Sequence, residues 1–152
     1  AGHPDLAPVV RRLSCLRGVS RLTAVGLAAE IGDWHRLEGG TIGAYLGLVP
    51  AESQSGARHT RGPITKTGNG HARRLLVEAA WHHRAPHRRS LALERRRQGA
   101  RPDVRARAEA AGTRLHRRWV NLERRGLRRT IIAVALAREL AGWCWSLAVM
   151  DD

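Results

Sequence analysis

At 152 residues the chain has the length of one domain, able to bury roughly two thirds of its unfolded surface. Its 27 lysines and arginines outweigh 13 acidic residues, a formal charge of +14; this disfavours basic partners and favours polyanions, nucleic acid first. Cys15 and Cys144 stand far apart and outside any Cys-x-x-Cys or Cys/His cluster, which excludes a disulfide scaffold and leaves two reduced, buried thiols of a cytoplasmic protein.

Lys66 is the only lysine. Arginine supplies the remaining positive charge, as GC-rich coding would do with no function attached, so charge alone leaves two readings. The chain opens at Ala1 without methionine or a signal-peptide pattern, as expected of a piece of something longer.

Residues 8–33 read as a helix-hairpin-helix: helices over about 8–16 and 21–31, broken by Arg17-Gly18-Val19-Ser20, with Ser20 placed to cap the second. Leu22, Val25 and Ala29 share one face of that second helix. Main-chain N–H groups around Gly18 and Ser20 can hold a phosphate; any αα-hairpin also needs a glycine turn, so plain packing is the other reading. Thr41 to Leu46 reads as a short helix. Residues 47–69 are too rich in glycine, proline and hydroxyl side chains for helix or regular strand, and read as a long loop.

Asn69 or Gly70 starts an amphipathic helix reaching about Arg84. Ala72, Leu75, Leu76, Ala79, Ala80 and His83 form its apolar stripe, and Arg74 and Glu78 make an i, i+4 pair. Pro86 ends it, a basic helix follows from Arg88 to Gln98, and Gly99 to Pro102 breaks that. Asp103 to Arg124 is the next helix, apolar along Val104, Ala108, Ala111, Leu115, Trp119 and Leu122. Its other face carries Arg105, Arg107, Arg114, Arg117, Arg118, Arg124 and Arg125. After Gly126 comes a last apolar run over 130–150. Arg138 and Glu139 sit at its middle, where a bilayer would penalise each by about 2.5 kcal/mol or more; a buried helix, and no membrane, is the reading. His82, His83 and His87 cluster without the cysteine or carboxylate spacing of a metal site. Residues 70–150 thus give about four helices around one core. The fold class is all-α.

The chemistry concentrates in the 47–69 loop. A serine hydroxyl is a weak nucleophile until a base, a metal or a positive field assists it, and the loop lacks the Gly-x-Ser-x-Gly elbow of the hydrolases. Around Ser55 stand Arg58, His59, Arg61 and Lys66, with Arg73 and Arg74 one turn into the next helix. Such a field could neutralise a phosphodiester and the charge that grows on it during transfer. The helix start near Asn69 adds N–H groups and a positive dipole end. Read from residues alone, Ser55 is either a turn residue or a nucleophile.

The pattern Gly47-Leu48-Val49-Pro50, Ser55-Gly56, Gly62-Pro63-Ile64-Thr65-Lys66-Thr67-Gly68-Asn69, Arg73-Arg74 and Glu78-Ala79-Ala80 resembles the C-terminal domain of the DEDD-type, bridge-RNA-guided insertion-sequence transposases, relatives of the Piv-type DNA invertases. The resemblance reaches back to Leu16-Arg17-Gly18-Val19-Ser20 and forward to Ala137–Gly142, covering about residues 10–150. It implies that Ser55 attacks DNA and is transiently joined to it, and that the partners are DNA and a structured guide RNA in a homo-oligomer. By position, Arg58, Arg61, Lys66, Asn69, Arg73 and Arg74 would contact phosphate or guide RNA, with Gly18 and Ser20 a second contact. The family's RuvC-like N-terminal domain, whose four acidic residues hold magnesium, is not in this chain. Asp33, Glu52 and Glu78 are scattered, so this chain is expected to bind no cofactor itself and to carry half of a composite site. Gln54 precedes Ser55 where many members have a second serine. The alternative is a non-catalytic DNA- or RNA-binding helix-hairpin-helix module.

Overall fold

The Arg17–Ser20 break turns the chain back on itself between α1 (Ala7–Leu13) and α2 (Arg21–Ile31) in a computed structural model of the protein. Residues 5–55 and 58–151 are described, with the main chain alone described within 51–63. α1 stops short of residue 16 because the chain tightens after it: Cys15 N bonds Arg12 O and Leu16 N bonds Leu13 O. α2 has the expected span, with the Ser20 hydroxyl accepting from Thr23 N.

The expected inward face of α2 is corrected. Ala24, Leu27, Ala28 and Ile31 are buried, whereas Leu22 is 82% and Val25 44% exposed, and Ala29 is exposed as well. The helix is apolar nearly all round, so periodicity could not choose a side; its packing against α1 did.

α3 (Ile42–Tyr45) leads into the second correction. The expected irregular loop is an antiparallel hairpin, β1 (Pro50–Ser55) paired with β2 (Arg58–Ile64). Strands written Pro-Ala-Glu-Ser-Gln-Ser and Arg-His-Thr-Arg-Gly-Pro-Ile hold two β-branched residues between them, Thr60 and Ile64, and no aromatic one, too few to signal a strand against their proline, glycine and charged residues.

α4 (Gly70–Ala80) passes into a 3-10 turn at Trp81–Arg84, and α5 (Leu91–Arg97) starts where Ser90 caps it. α6 (Pro102–Arg124) and α7 (Arg129–Ala148) complete the chain. α7 has the length and apolarity to cross a membrane, yet it is the helix on which α1, α3, α4 and α6 pack. Alanines 133, 137, 141 and 148 are buried beside Ile132, Leu136, Leu140, Cys144 and Leu147, and these small side chains let neighbours approach closely. At its middle Arg138 is exposed, while Glu139 pairs with Arg114 and Arg118 of α6 at 3.1 and 3.3 Å. Among the described residues α-helices carry the core, so the all-α class holds with one hairpin projecting from it.

The helices are also tied by buried cations. Arg12 donates to Leu147 O and Ala148 O at 2.7 and 2.9 Å, the carbonyls that a helix leaves unpaired at its C-terminus. Arg97, 3% exposed, bonds Cys15 O and pairs with Glu109.

Candidate nucleic-acid interface and serine hairpin

The hairpin is held at its neck by backbone-to-backbone contact. Gly47 has φ +70°, and a Cβ there would lie 2.4 Å from the Thr67 main chain; Gly68 has φ +76°, and its Cβ would lie 2.2 Å from Tyr45 O. Only glycine allows both the left-handed conformation and the approach. Lys66 N donates to Gly47 O at 3.1 Å and Thr65 N to Val49 O at 3.0 Å. Arg73 of α4 donates Nη1 to Leu46 O and Thr67 O, both at 3.1 Å, and so clasps the chain entering the hairpin and the chain leaving it.

Lys66 is the sole non-glycine residue with positive φ (54°) among the described residues, and it is exposed. That conformation costs about 1 kcal/mol or more in an ordinary side-chain residue. Asn69 caps α4, its Oδ1 accepting from Ala72 N at 3.0 Å, and donates its amide to Glu30 of α2. Glu30 also meets His71 Nδ1 at 2.9 Å. The hydrogen bonds from Asn69 and then His71 hold the Glu30 carboxyl below the usual carboxylate range. Nothing in the sequence pointed to Glu30, which lies far from Asn69 along the chain and belongs to no local motif.

At the far end of the hairpin the register places Ser55 opposite Arg58, Gln54 opposite His59, Ser53 opposite Thr60 and Glu52 opposite Arg61. The side chains of Ser55, Arg58 and Arg61 lie outside the described ones. The expected site residues therefore occupy three places. Ser55 and Arg58 stand at the end of the strands far from the neck, with Arg61 further along β2. Lys66, Asn69 and Arg73 build the neck. Gly18 and Ser20 are at the α1–α2 turn. Arg74, on the wet side of α4, is 68% exposed and 4.0 Å from Glu78, as the spacing foretold.

Gly18 has a packing reason of its own: with φ +84°, a Cβ would meet Ala79 O at 2.6 Å and His82 Cβ at 3.1 Å. Gly18 and Ser20 nevertheless line a cleft of about 620 Å³ with Arg17, His82 and Arg88, and with Glu78. His83 is buried, and burial, with the nearby charges of Arg17, His82 and His87, lowers its pKa to about 3. Among the described residues no group of three His, Cys, Asp or Glu side chains could hold a metal ion. Cys15 and Cys144 are buried free thiols, and burial pushes Cys144 up to about 12.

The family profile described as Transposase IS116/IS110/IS902 family matches residues 10–94, more than half of the chain. That span runs from α1 through the whole hairpin and into α5. The chain belongs to the IS116/IS110/IS902 transposase family. It is 44% identical over 147 residues to the y4qE protein of Sinorhizobium fredii, named a transposase, covering 96% of this chain and 38% of that one. It is 34% identical over 113 residues to the transposase for insertion sequence element IS1533 of Leptospira borgpetersenii, covering 73% of this chain and 33% of that one. A 35% match over 71 residues to the transposase for IS1111A of Coxiella burnetii covers 46% of this chain and 20% of that one. The matches thus span from a fifth to little more than a third of the length of these transposases.

Proposed function

We propose that this chain is the serine-bearing part of an insertion-sequence transposase, in which Ser55 is the nucleophile for DNA strand cleavage and transfer. The observation that carries the reading is the family match over residues 10–94, which contains the entire hairpin and the motif residues that form its neck. In the proposed step the Ser55 hydroxyl oxygen attacks a DNA phosphorus and its proton leaves to solvent or a base. One P–O bond to the departing strand breaks, that strand's hydroxyl is released, and a phosphoserine ester remains. Attack on that ester by the hydroxyl of a new strand end reverses the exchange and frees serine, so the bond energy is conserved without ATP. Arg58, Arg61 and Lys66 would balance the phosphate charge around the reacting ester. Arg73 and Asn69 would act by fixing the neck.

A RuvC-like acidic domain elsewhere in the protein would complete the site and hold magnesium; the described residues here do not make such a metal site. DNA, a structured guide RNA and further copies of the protein are the partners of this reading, and its place is the cytoplasm. A second reading is a binding module that performs no chemistry, supported by Gly18 and Ser20, which line a cleft with Arg17 and Arg88.

The test uses full-length transposase containing this chain, with element ends, guide RNA and magnesium, resolved on a denaturing gel. A protein–DNA adduct is expected in wild type and Ser53→Ala, and none in Ser55→Ala. Transposition undiminished in Ser55→Ala would establish the binding-only reading.

A further inference from the structure

The arginines of this chain divide by what they touch. Arg73, Arg96 and Arg97 donate to main-chain carbonyls inside the fold, and Arg114 and Arg118 share Glu139. Such charges are structural or already compensated. Arg11, Arg21 and Arg95 are different: they are exposed, and among the described residues none of the three side chains makes a hydrogen bond or ion pair.

These three come together from separate parts of the sequence. Arg11 is on α1, Arg21 opens α2, and Arg95 is on α5; with Arg96, Gln98 and Arg101 they line a cleft of about 320 Å³. Among the described residues no carboxylate lines this cleft, whereas the larger cleft at the α1–α2 turn includes Glu78. The groove on α6 is flanked by Arg114, Arg117, Arg118 and Arg125, but two of those are satisfied by Glu139. Arg96 adds a charge from below while its own hydrogen bonds go to Ser14 O and Leu16 O, which carry no formal charge. Arg101 is paired with Asp103 at 2.9 Å, but Arg11, Arg21 and Arg95 are gathered without a counter-ion among the described residues, and like charges so placed repel one another. A bound anion relieves that repulsion, and guanidinium groups present paired donors that suit phosphate oxygens.

We propose that the cleft between α1, the start of α2 and the α5–α6 turn is a second phosphodiester-binding site, which seats a nucleic-acid backbone apart from the serine hairpin. Its described lining residues come from outside the hairpin. The inference rests on the reading above that the chain acts on nucleic acid. A phosphate backbone fits better than a mononucleotide, since no aromatic side chain lines the cleft to stack on a base.

The test is fluorescence anisotropy on this chain with a short duplex DNA and with an RNA hairpin, across a range of salt. The variant carries Arg11→Gln, Arg21→Gln and Arg95→Gln together. A control removes the same charge elsewhere through Arg124→Gln, Arg125→Gln and Arg128→Gln, all exposed. The cleft variant is expected to melt like wild type yet bind at least about tenfold more weakly than the control. On duplex DNA the slope of log affinity against log salt should fall by about 0.9 for each phosphate that the variant no longer holds. Weakening on DNA alone, RNA alone or both supports the site and names its backbone. Equal weakening in cleft variant and control overturns the site and leaves the serine reading standing. Wild type that binds neither probe overturns the nucleic-acid reading itself.

Discussion

Asn69 caps α4 with its side-chain oxygen while its side-chain amide donates to Glu30 of α2. One residue thereby fixes where the helix begins and where the hairpin neck sits on the preceding helical pair. Asn69→Ala is expected to cost about 1 kcal/mol, or about 2–4 °C in melting temperature for a domain of this size. Asn69→Ser, which still caps but does not reach Glu30, should lose less. Thermal unfolding of the three proteins checks the order.

The neck glycines differ from other left-handed glycines in what surrounds them. Gly32 has φ +70° with nothing within 4 Å of a Cβ, whereas Gly47 and Gly68 would each drive a Cβ into backbone. Gly32→Ala should therefore cost about 1 kcal/mol for conformation alone. Gly47→Ala and Gly68→Ala should cost about 2 kcal/mol or more. They should also speed hydrogen exchange at the Thr65 and Lys66 amides, which bond Val49 O and Gly47 O. Denaturant titration and exchange measured by NMR test both parts.

His83 makes stability depend on pH. It is 1% exposed, and neither ring nitrogen finds a hydrogen bond of ordinary geometry, although Arg17 main chain is near. Burial first, and then neighbouring positive charge, lowers its pKa from 6.5 to about 3. Between those values the unfolded chain binds the proton and the folded chain does not, so stability falls as pH falls. The share from this residue between pH 7.5 and pH 5 is about 2 kcal/mol. His83→Leu should remove that share, seen as a flatter dependence of unfolding free energy on pH.

Glu109 gathers Arg97, His87 and Arg89. Burial raises its pKa, but the hydrogen bonds from Arg97 and His87, with their charges, outweigh burial and leave it below the ordinary value of 4.5. Its contribution to stability is present above that value and lost as pH falls through the lower folded one. Glu109→Gln leaves Arg97 buried beside a neutral amide. The expected loss is about 3 kcal/mol at neutral pH, measured by urea unfolding, and it should shrink in acid, where wild type loses the same pair.

The helices were legible because they carry local signals: Ser20 at a cap, Pro86 and Gly126 at breaks, and the Val104 to Trp119 stripe in α6; the start of α5 reads from sequence as Arg88, whereas Ser90 caps it. The α2 face was not, because Leu22, Val25 and Ala29 are as apolar as the residues buried on its other side. Nor was the hairpin, whose strands hold only Thr60 and Ile64 as β-favouring residues and whose neck is set by the close approach of Gly47 and Gly68 to Thr67 and Tyr45. Of the site, the motif residues were found but several of their duties were not. Arg73 and Asn69 read as phosphate contacts by position, while the fold engages them with carbonyls and Glu30, interactions that no spacing rule encodes.

Peptide mapping of the trapped adduct tests the central claim most directly. Full-length transposase stopped during strand exchange is digested with nuclease and protease, and the modified peptide is sequenced by mass spectrometry. The expected result is a nucleotide phosphate on Ser55. A nucleotide on Ser53, on any other residue, or a completed strand exchange with no adduct at any residue would contradict it.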